Sequence, residues 1–318
     1  MCGGGLLYLK ERAPARHGLT TRDMLGRSMA GSVDIYKQMN QINPKLEAGA
    51  YNITAKCSME TASAREADCF TTVSRITADE ATVFLGRSPD VVTPNGLDMR
   101  VIPDYSAERD VPVGARAKLL GAAGRLLRRE LAPDTRIFII SGRYEYHNKG
   151  VDVFLDALAG VNEALRQSQT TCRLVRVMGR HSGSSDAVGG DPSKISDQGR
   201  TISSHHDNQP QDPILNACKR LGLDNRPENH VQVIFDPALL DGNDGFLNMP
   251  YEEVLAACDL GVFPSWYEPW GYTPQESAAH AVPTVTTDLS GFGLWVRDTQ
   301  GQEQGVTILH RQQTSYEG

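Results

Sequence analysis

The chain has 318 residues, 40% of them hydrophobic, and a formal net charge of -7. A chain of this length can bury a sizeable core and favours about two domains, while the acidic balance and the lack of any long Lys/Arg run exclude a nucleic-acid surface. No apolar stretch approaches the roughly 20 residues of a membrane span, and Met1-Cys2-Gly3-Gly4-Gly5 lacks the charged-then-apolar pattern of a secretory signal, so no membrane association and a cytoplasmic setting are expected.

Residues 1–115 carry helical stretches and only fragments of a parallel sheet. These are a strand over 68–74, a helix over 75–85, and a short strand over 90–92 that ends at Pro94-Asn95-Gly96. Pro112 and Gly114 mark an expected hinge, followed by a basic helix over 115–129. From residue 136 the pattern sharpens into strand 137–140, helix 151–166, strand 174–178 and strand 231–235. Helix 251–257, strand 260–263, helix 273–280 and strand 284–286 follow. This alternation predicts a doubly wound α/β domain over 116–318, with residues 1–115 as a separate N-terminal unit. The polar stretch 179–211, rich in Gly, Ser, Asp and His, is too long for an ordinary loop and reads as an excursion over the surface. Six cysteines (Cys2, Cys57, Cys69, Cys172, Cys218, Cys258) show no C-x-x-C and no His partner at metal spacing, so they read as free buried thiols. His205-His206-Asp207 reads as a solvated polar loop, and no metal and no cofactor are expected.

The most informative segment is Ser265-Trp266-Tyr267-Glu268-Pro269-Trp270-Gly271-Tyr272-Thr273-Pro274-Gln275-Glu276. It follows the apolar run Leu260-Gly261-Val262-Phe263, so it lies where strand gives way to helix, a ligand-binding position in α/β folds. Thr273-Pro274-Gln275-Glu276 has the form of a capping box, with Thr273 as N-cap, Pro274 as first helical residue and Glu276 as reciprocal cap. The same helix start would also suit a phosphate, because its N–H groups are unpaired and its dipole is positive there. Glu268, set among Tyr267, Pro269 and Trp270, suggests a carboxylate that accepts sugar hydroxyls while rings stack on sugar faces.

This segment resembles the E-x7-E motif of retaining glycosyltransferases, and its Tyr-Glu-Pro-Trp-Gly-Tyr-Thr-Pro core resembles glycogen synthases of the animal and fungal type. The likeness continues in Gly142-Arg143-Tyr144-Glu145-Tyr146-His147-Asn148-Lys149-Gly150, in Phe70-Thr71-Thr72-Val73-Ser74, in Thr93-Pro94-Asn95-Gly96-Leu97 and in Asp288-Leu289-Ser290-Gly291-Phe292-Gly293. The resemblance implies a GT-B fold of two facing Rossmann-like domains, the N-terminal one incomplete, with UDP-glucose as donor and the non-reducing end of an α-1,4-glucan (glycogen) as acceptor. It assigns Glu268 to the donor glucose, Arg143 and Lys149 to the pyrophosphate, and Glu276 to the ribose hydroxyls. Tyr251 would stack on uracil, with core packing as the alternative. Gly271, Tyr272 and Thr273 would offer backbone N–H groups, and Trp270 and Asn95 complete the expected substrate-binding set.

The chain also departs from that family's pattern. Thr20-Thr21-Arg22-Asp23 stands where the family has a Thr-Thr-His-Ala-Thr run, so the family's active-site histidine has no counterpart and His17 does not inherit its role. Thr61 stands where the family has a cation, and Leu6-Leu7-Tyr8-Leu9-Lys10 matches a helix deep within the first domain. The resemblance therefore implies an incomplete chain. An inactive nucleotide-sugar or glucan-binding module is the alternative function, a nucleotide-sugar epimerase of the same architecture is disfavoured by Trp270-Gly271-Tyr272, and homo-oligomerisation is left open.

Overall fold

A computed structural model describes residues 18–21, 24–30, 35–103, 113–168, 173–178, 202–203, 211–299 and 305–311. In the first part, strand β1 (Gly18–Thr21) is followed by helices α1 (Met24–Met29), α2 (Ile35–Gln38), α3 (Pro44–Ala50) and α4 (Thr54–Glu66). Strand β2 (Cys69–Thr72), helix α5 (Arg75–Phe84) and strand β3 (Val91–Val92) complete it. The three strands form a parallel sheet in the order β1-β2-β3. Local signals set the boundaries. Asn43 caps α3 ahead of Pro44, and Ser74 and Thr77 form a reciprocal capping box at α5.

The second part begins with α6 (Val113–Leu127), so Gly114 lies inside a helix rather than at a hinge, and Pro112 lies outside the described residues. Then come β4 (Arg136–Ile140), α7 (Val151–Ser168), β5 (Arg173–Met178), α8 (Pro213–Arg220) and β6 (Val231–Asp236). Helix α9 (Tyr251–Ala256), β7 (Leu260–Val262), α10 (Tyr272–Ala279), β8 (Thr284–Thr287), α11 (Gly291–Thr299) and β9 (Val306–Leu309) follow. All six strands are parallel, in the order β6-β5-β4-β7-β8-β9. The chain winds outward from β4 to β6, returns to the centre at β7, and winds outward the other way. That reversal places the topological switch point between β4 and β7, and a doubly wound sheet opens its ligand crevice there.

The sheet is buried on both faces, as an all-parallel sheet must be. Ile137, Ile139, Ile234 and Val254 pack with the inward face of α6 on one side, while Ile140, Phe154, Leu155, Val233 and Phe235 pack under α7 and α8 on the other. The two parts meet through the segment after β7. Tyr267 is 3% exposed and inserts among Leu25, Met29, Ile35 and Phe84 of the first part. Its hydroxyl donates to Oε2 of the fully buried Glu80 at 3.0 Å, whose Oε1 accepts from Tyr36 at 3.0 Å.

Most of the polar stretch 179–211 lies outside the described residues. Of the cysteines, Cys218 and Cys258 are buried thiols as expected, whereas Cys57 is half-buried and Cys69 is exposed. Cys69 opens β2 and its side chain alternates outward from the buried Phe70.

Candidate functional site

The turn after β4 and the turn after β7 leave adjacent central strands and converge. Between them lies a cavity of about 700 Å³. Ser141, Gly142, Arg143 and Lys149 line it from the first turn, and Glu268, Tyr272, Thr273 and Glu276 from the second. Residues 238–241 after β6, and Tyr251 and Glu252 on α9, close the remaining wall. Residues 119 positions apart in sequence meet here, since Lys149 Nζ donates to Glu268 Oε2 with each side chain only 12% exposed. Partial burial makes such a pair stronger than a surface ion pair and binds the two turns together.

Arg143 lies 3.4 Å from Glu145, and Arg27, from α1 of the first part, donates to the same carboxylate at 2.8 Å. Burial pushes the Glu145 carboxyl up, but Arg143, Arg27 and Lys149 outweigh it and hold it below the usual carboxylate range. Three cations, Arg27, Arg143 and Lys149, thus face two carboxylates, Glu145 and Glu268. The cations are gathered at this corner, whereas Asp241, Glu252 and Glu276 line other parts of the same cavity, so the site offers both cationic and carboxylate groups to a ligand.

Tyr251 packs against the core cluster beneath α6 and also lines the cavity, where its hydroxyl and Ser141 Oγ are 3.0 Å apart. Burial, and then the neighbouring Glu276 carboxylate, push its phenol well above the ordinary value.

Two sequence expectations are corrected at α10. The helix begins at Tyr272 with Gly271 as N-cap and no side-chain cap, so Thr273 and Glu276 do not form a capping box. The cause is Gly271. Its φ of +109° sets the turn one residue pair earlier, and a Cβ there would lie 2.8 Å from Ser290 Oγ. Tyr272 and Thr273 are then the first helical residues, whose N–H groups have no acceptor within the helix. Glu276, the fifth residue of the helix, borders the cavity.

Trp270, expected to contact substrate, is 4% exposed and packs with Val73, Phe292, Val296 and Ile308. Its indole Nε1 donates to Gln275 Oε1 at 2.8 Å, so both ends of the ring are occupied by protein. The close approach of α11 explains this, because Phe292 N–H donates to the Trp270 carbonyl at 2.7 Å. Asn95 sits outside the main cavity. It borders a smaller one of about 150 Å³ together with Met24, Arg27 and Trp270, while Arg143, Glu268, Gly271 and Tyr272 line the wall towards the larger cavity.

Arg27, Ser141, Glu145 and Asp241 are members of the site that the residue pattern did not single out. Ser141 and Glu145 flank or lie in the Gly142-to-Gly150 motif and could have been found from it, whereas Arg27 carries no local signal. Among the described residues no group of three or more His, Cys, Asp or Glu side chains is placed to hold a metal, and His205, His206, Asp207 and His17 lie outside the described residues.

A family model described as glycogen synthase matches residues 3–182 and 200–318. Liver glycogen (starch) synthase of Rattus norvegicus is 32% identical over 97% of this chain, and isoform 2 of Saccharomyces cerevisiae 31% over 92%. The Caenorhabditis elegans enzyme is 30% identical over 94%. The chain spans about half the length of these relatives, 53%, 52% and 54% respectively. Among solved structures, the lipopolysaccharide glycosyltransferase WaaG superposes with a TM-score of 0.54 at 18% identity, over 96% of this chain and 67% of WaaG. Sucrose-phosphate synthase of Thermosynechococcus elongatus gives 0.53 at 15% identity, over 97% of this chain and 58% of that one.

Proposed function

Because the chain belongs to the glycogen synthase family and has the α/β GT-B fold, we propose that it serves a retaining glucosyltransferase of the hexosyltransferase class, moving glucose from UDP-glucose to the non-reducing end of an α-1,4-glucan in the cytoplasm. The observation that carries this reading is the meeting of Arg143, Lys149, Tyr251, Glu268 and Glu276 around one cavity at the switch point. Residues 1–115 form the acceptor-side domain and 116–318 the nucleotide-sugar domain. The packing of α6 on the six-stranded sheet supports a boundary near the start of that helix.

Departure of UDP builds negative charge on the pyrophosphate as positive charge develops on the sugar. Arg143 and Lys149 meet the first, with the leading N–H groups of α10 opposite them. Glu268 lies on the sugar side of that arrangement, its carboxylate fixed by Lys149 before any ligand arrives. Glu276 accepts the ribose hydroxyls, and the Tyr251 ring packs on the base. With one carboxylate beside the anomeric carbon, the acceptor hydroxyl attacks from the face that the leaving group vacates, and no covalent sugar ester on the protein is required. Asn95 and Gly271 complete the wall between the two cavities, and Trp270 supports that wall from behind. An inactive binding module is not favoured, since the relatives matched over 92–97% of the chain are synthases.

Calorimetric titration with UDP, run beside incorporation of radiolabelled glucose from UDP-glucose into glycogen, tests the reading. UDP binding with release of UDP during incorporation is expected. Absence of both would remove it.

A further inference from the structure

A second cavity, of about 650 Å³, shares no residue with the site described above. It lies along the outer side of α6 and under the residues that turn back over the end of that helix. Its walls are mainly apolar, from Ala117, Leu120, Leu131 and Pro133, and Gly121 and Gly124 leave its helical side without side chains. A volume of this order holds a drug-sized molecule.

Arg129 faces the same cavity, and its Nε and Nη2 are both buried without any hydrogen-bond partner. A guanidinium stays charged at all ordinary pH, so it cannot escape that position by losing a proton. A guanidinium edge closed off from water without an acceptor is costly. The two orphaned atoms share one edge of the guanidinium, the edge that offers two parallel N–H bonds to the two oxygens of a carboxylate or phosphate.

The placement of Arg129 is built into the backbone. Arg128 takes a left-handed φ of +51°, and Arg129 N–H donates to the Gly124 carbonyl at 3.0 Å. A Cβ at position 124 would lie 2.8 Å from the Arg129 carbonyl oxygen, so glycine permits the return of the chain that carries Arg129 inward. Of the other charged groups lining the groove, Arg116 is committed to the Thr135 and Ala257 carbonyls and to Asp259, while Arg125 and the Glu130 carboxylate are exposed.

We propose that this groove binds a small amphipathic oxyanion, its carboxylate or phosphate head held side-on once the Arg129 side chain turns its closed Nε–Nη2 edge into the groove, and its apolar body lying along α6 over Gly121 and Gly124. The test is calorimetric titration of the whole chain with octanoate, octyl phosphate and 1-octanol. The two anions are expected to bind about tenfold or more tightly than the alcohol, as a charge-assisted paired hydrogen bond implies. Which anion binds more tightly identifies the head group. Arg129→Met should abolish the preference for anions while leaving 1-octanol binding unchanged. Gly121→Leu should weaken all three probes by filling the groove, and it is sterically open to a side chain, since only Arg125 Nη1, at 3.8 Å, approaches a Cβ there. Thermal melts identify any variant that fails to fold. Equal affinity for octanoate and 1-octanol in the wild type, no binding of any probe, or full octanoate affinity in folded Arg129→Met would each overturn the proposal.

Discussion

Glu268 and Glu276 differ in what holds them, and the difference separates their expected mutant behaviour. Glu268 is clamped by Lys149 and is proposed to face the donor glucose, so Glu268→Gln should reduce glucosyl transfer by several orders of magnitude while UDP affinity stays within about tenfold. Wild-type turnover in that variant would refute the role. Glu276 borders the cavity where the nucleotide is proposed to lie, and the N-cap of α10 is Gly271, so Glu276→Gln should weaken UDP binding without lowering the melting temperature. An unchanged affinity would remove it from the site. The motifs that carry the family resemblance single out Glu268, Glu276, Arg143 and Lys149, and all four line one cavity. Trp270 is not legible in the same way, because an aromatic beside a carboxylate looks the same in sequence whether its face meets a sugar or the back of α11.

At the scale of elements, most strands and helices of the second part are legible, since buried parallel strands are short apolar runs and the long helix α7 keeps its period. What escapes is of two kinds. Helices α8 and α11 and strand β9 lie beyond polar or glycine-rich turns, and the start of α10 is set by the positive φ of Gly271, which overrides the capping signature at Thr273. The far end of α10 carries a pH dependence. Burial holds His280 below its ordinary value, with Glu252 opposing. The folded chain therefore binds fewer protons than the unfolded one, and this contribution is complete above the ordinary value of 6.5 and is lost as pH falls through it towards the folded value. Urea midpoints should fall between about pH 7 and 5.5, and His280→Asn should flatten that slope. An equally steep slope in the variant would place its origin elsewhere.

For the molecule as a whole, the contact between its parts is what the sequence does not disclose. Tyr267 belongs by sequence to the motif and by packing to the core around Leu25 and Phe84. Truncating so buried a ring costs about 3 to 5 kcal/mol, and here the loss falls on the junction. Tyr267→Ala should therefore turn one urea transition into two, with the first part unfolding at lower denaturant. A single transition shifted as a unit would show that the parts are not coupled through this ring.

The central pairing of β4 with β7 has a consequence in time. Phe138 and Ile139 must find Leu260 and Gly261 across more than a hundred intervening residues, through a register of only two residue pairs. The pairing of β4 with β5, and of β8 with β9, spans far shorter stretches and engages four or five residue pairs each. Closing the long loop is entropically the dearer step, so the flanks of the sheet should form first and the middle last. Since the Lys149 and Glu268 turns hang from those two middle strands, the nascent chain would acquire its helices and most of its strands before it acquired a site. In refolding from urea, far-UV circular dichroism should recover ahead of UDP binding, and the lag between the two signals measures how long the chain exists as a folded scaffold with nothing yet to bind.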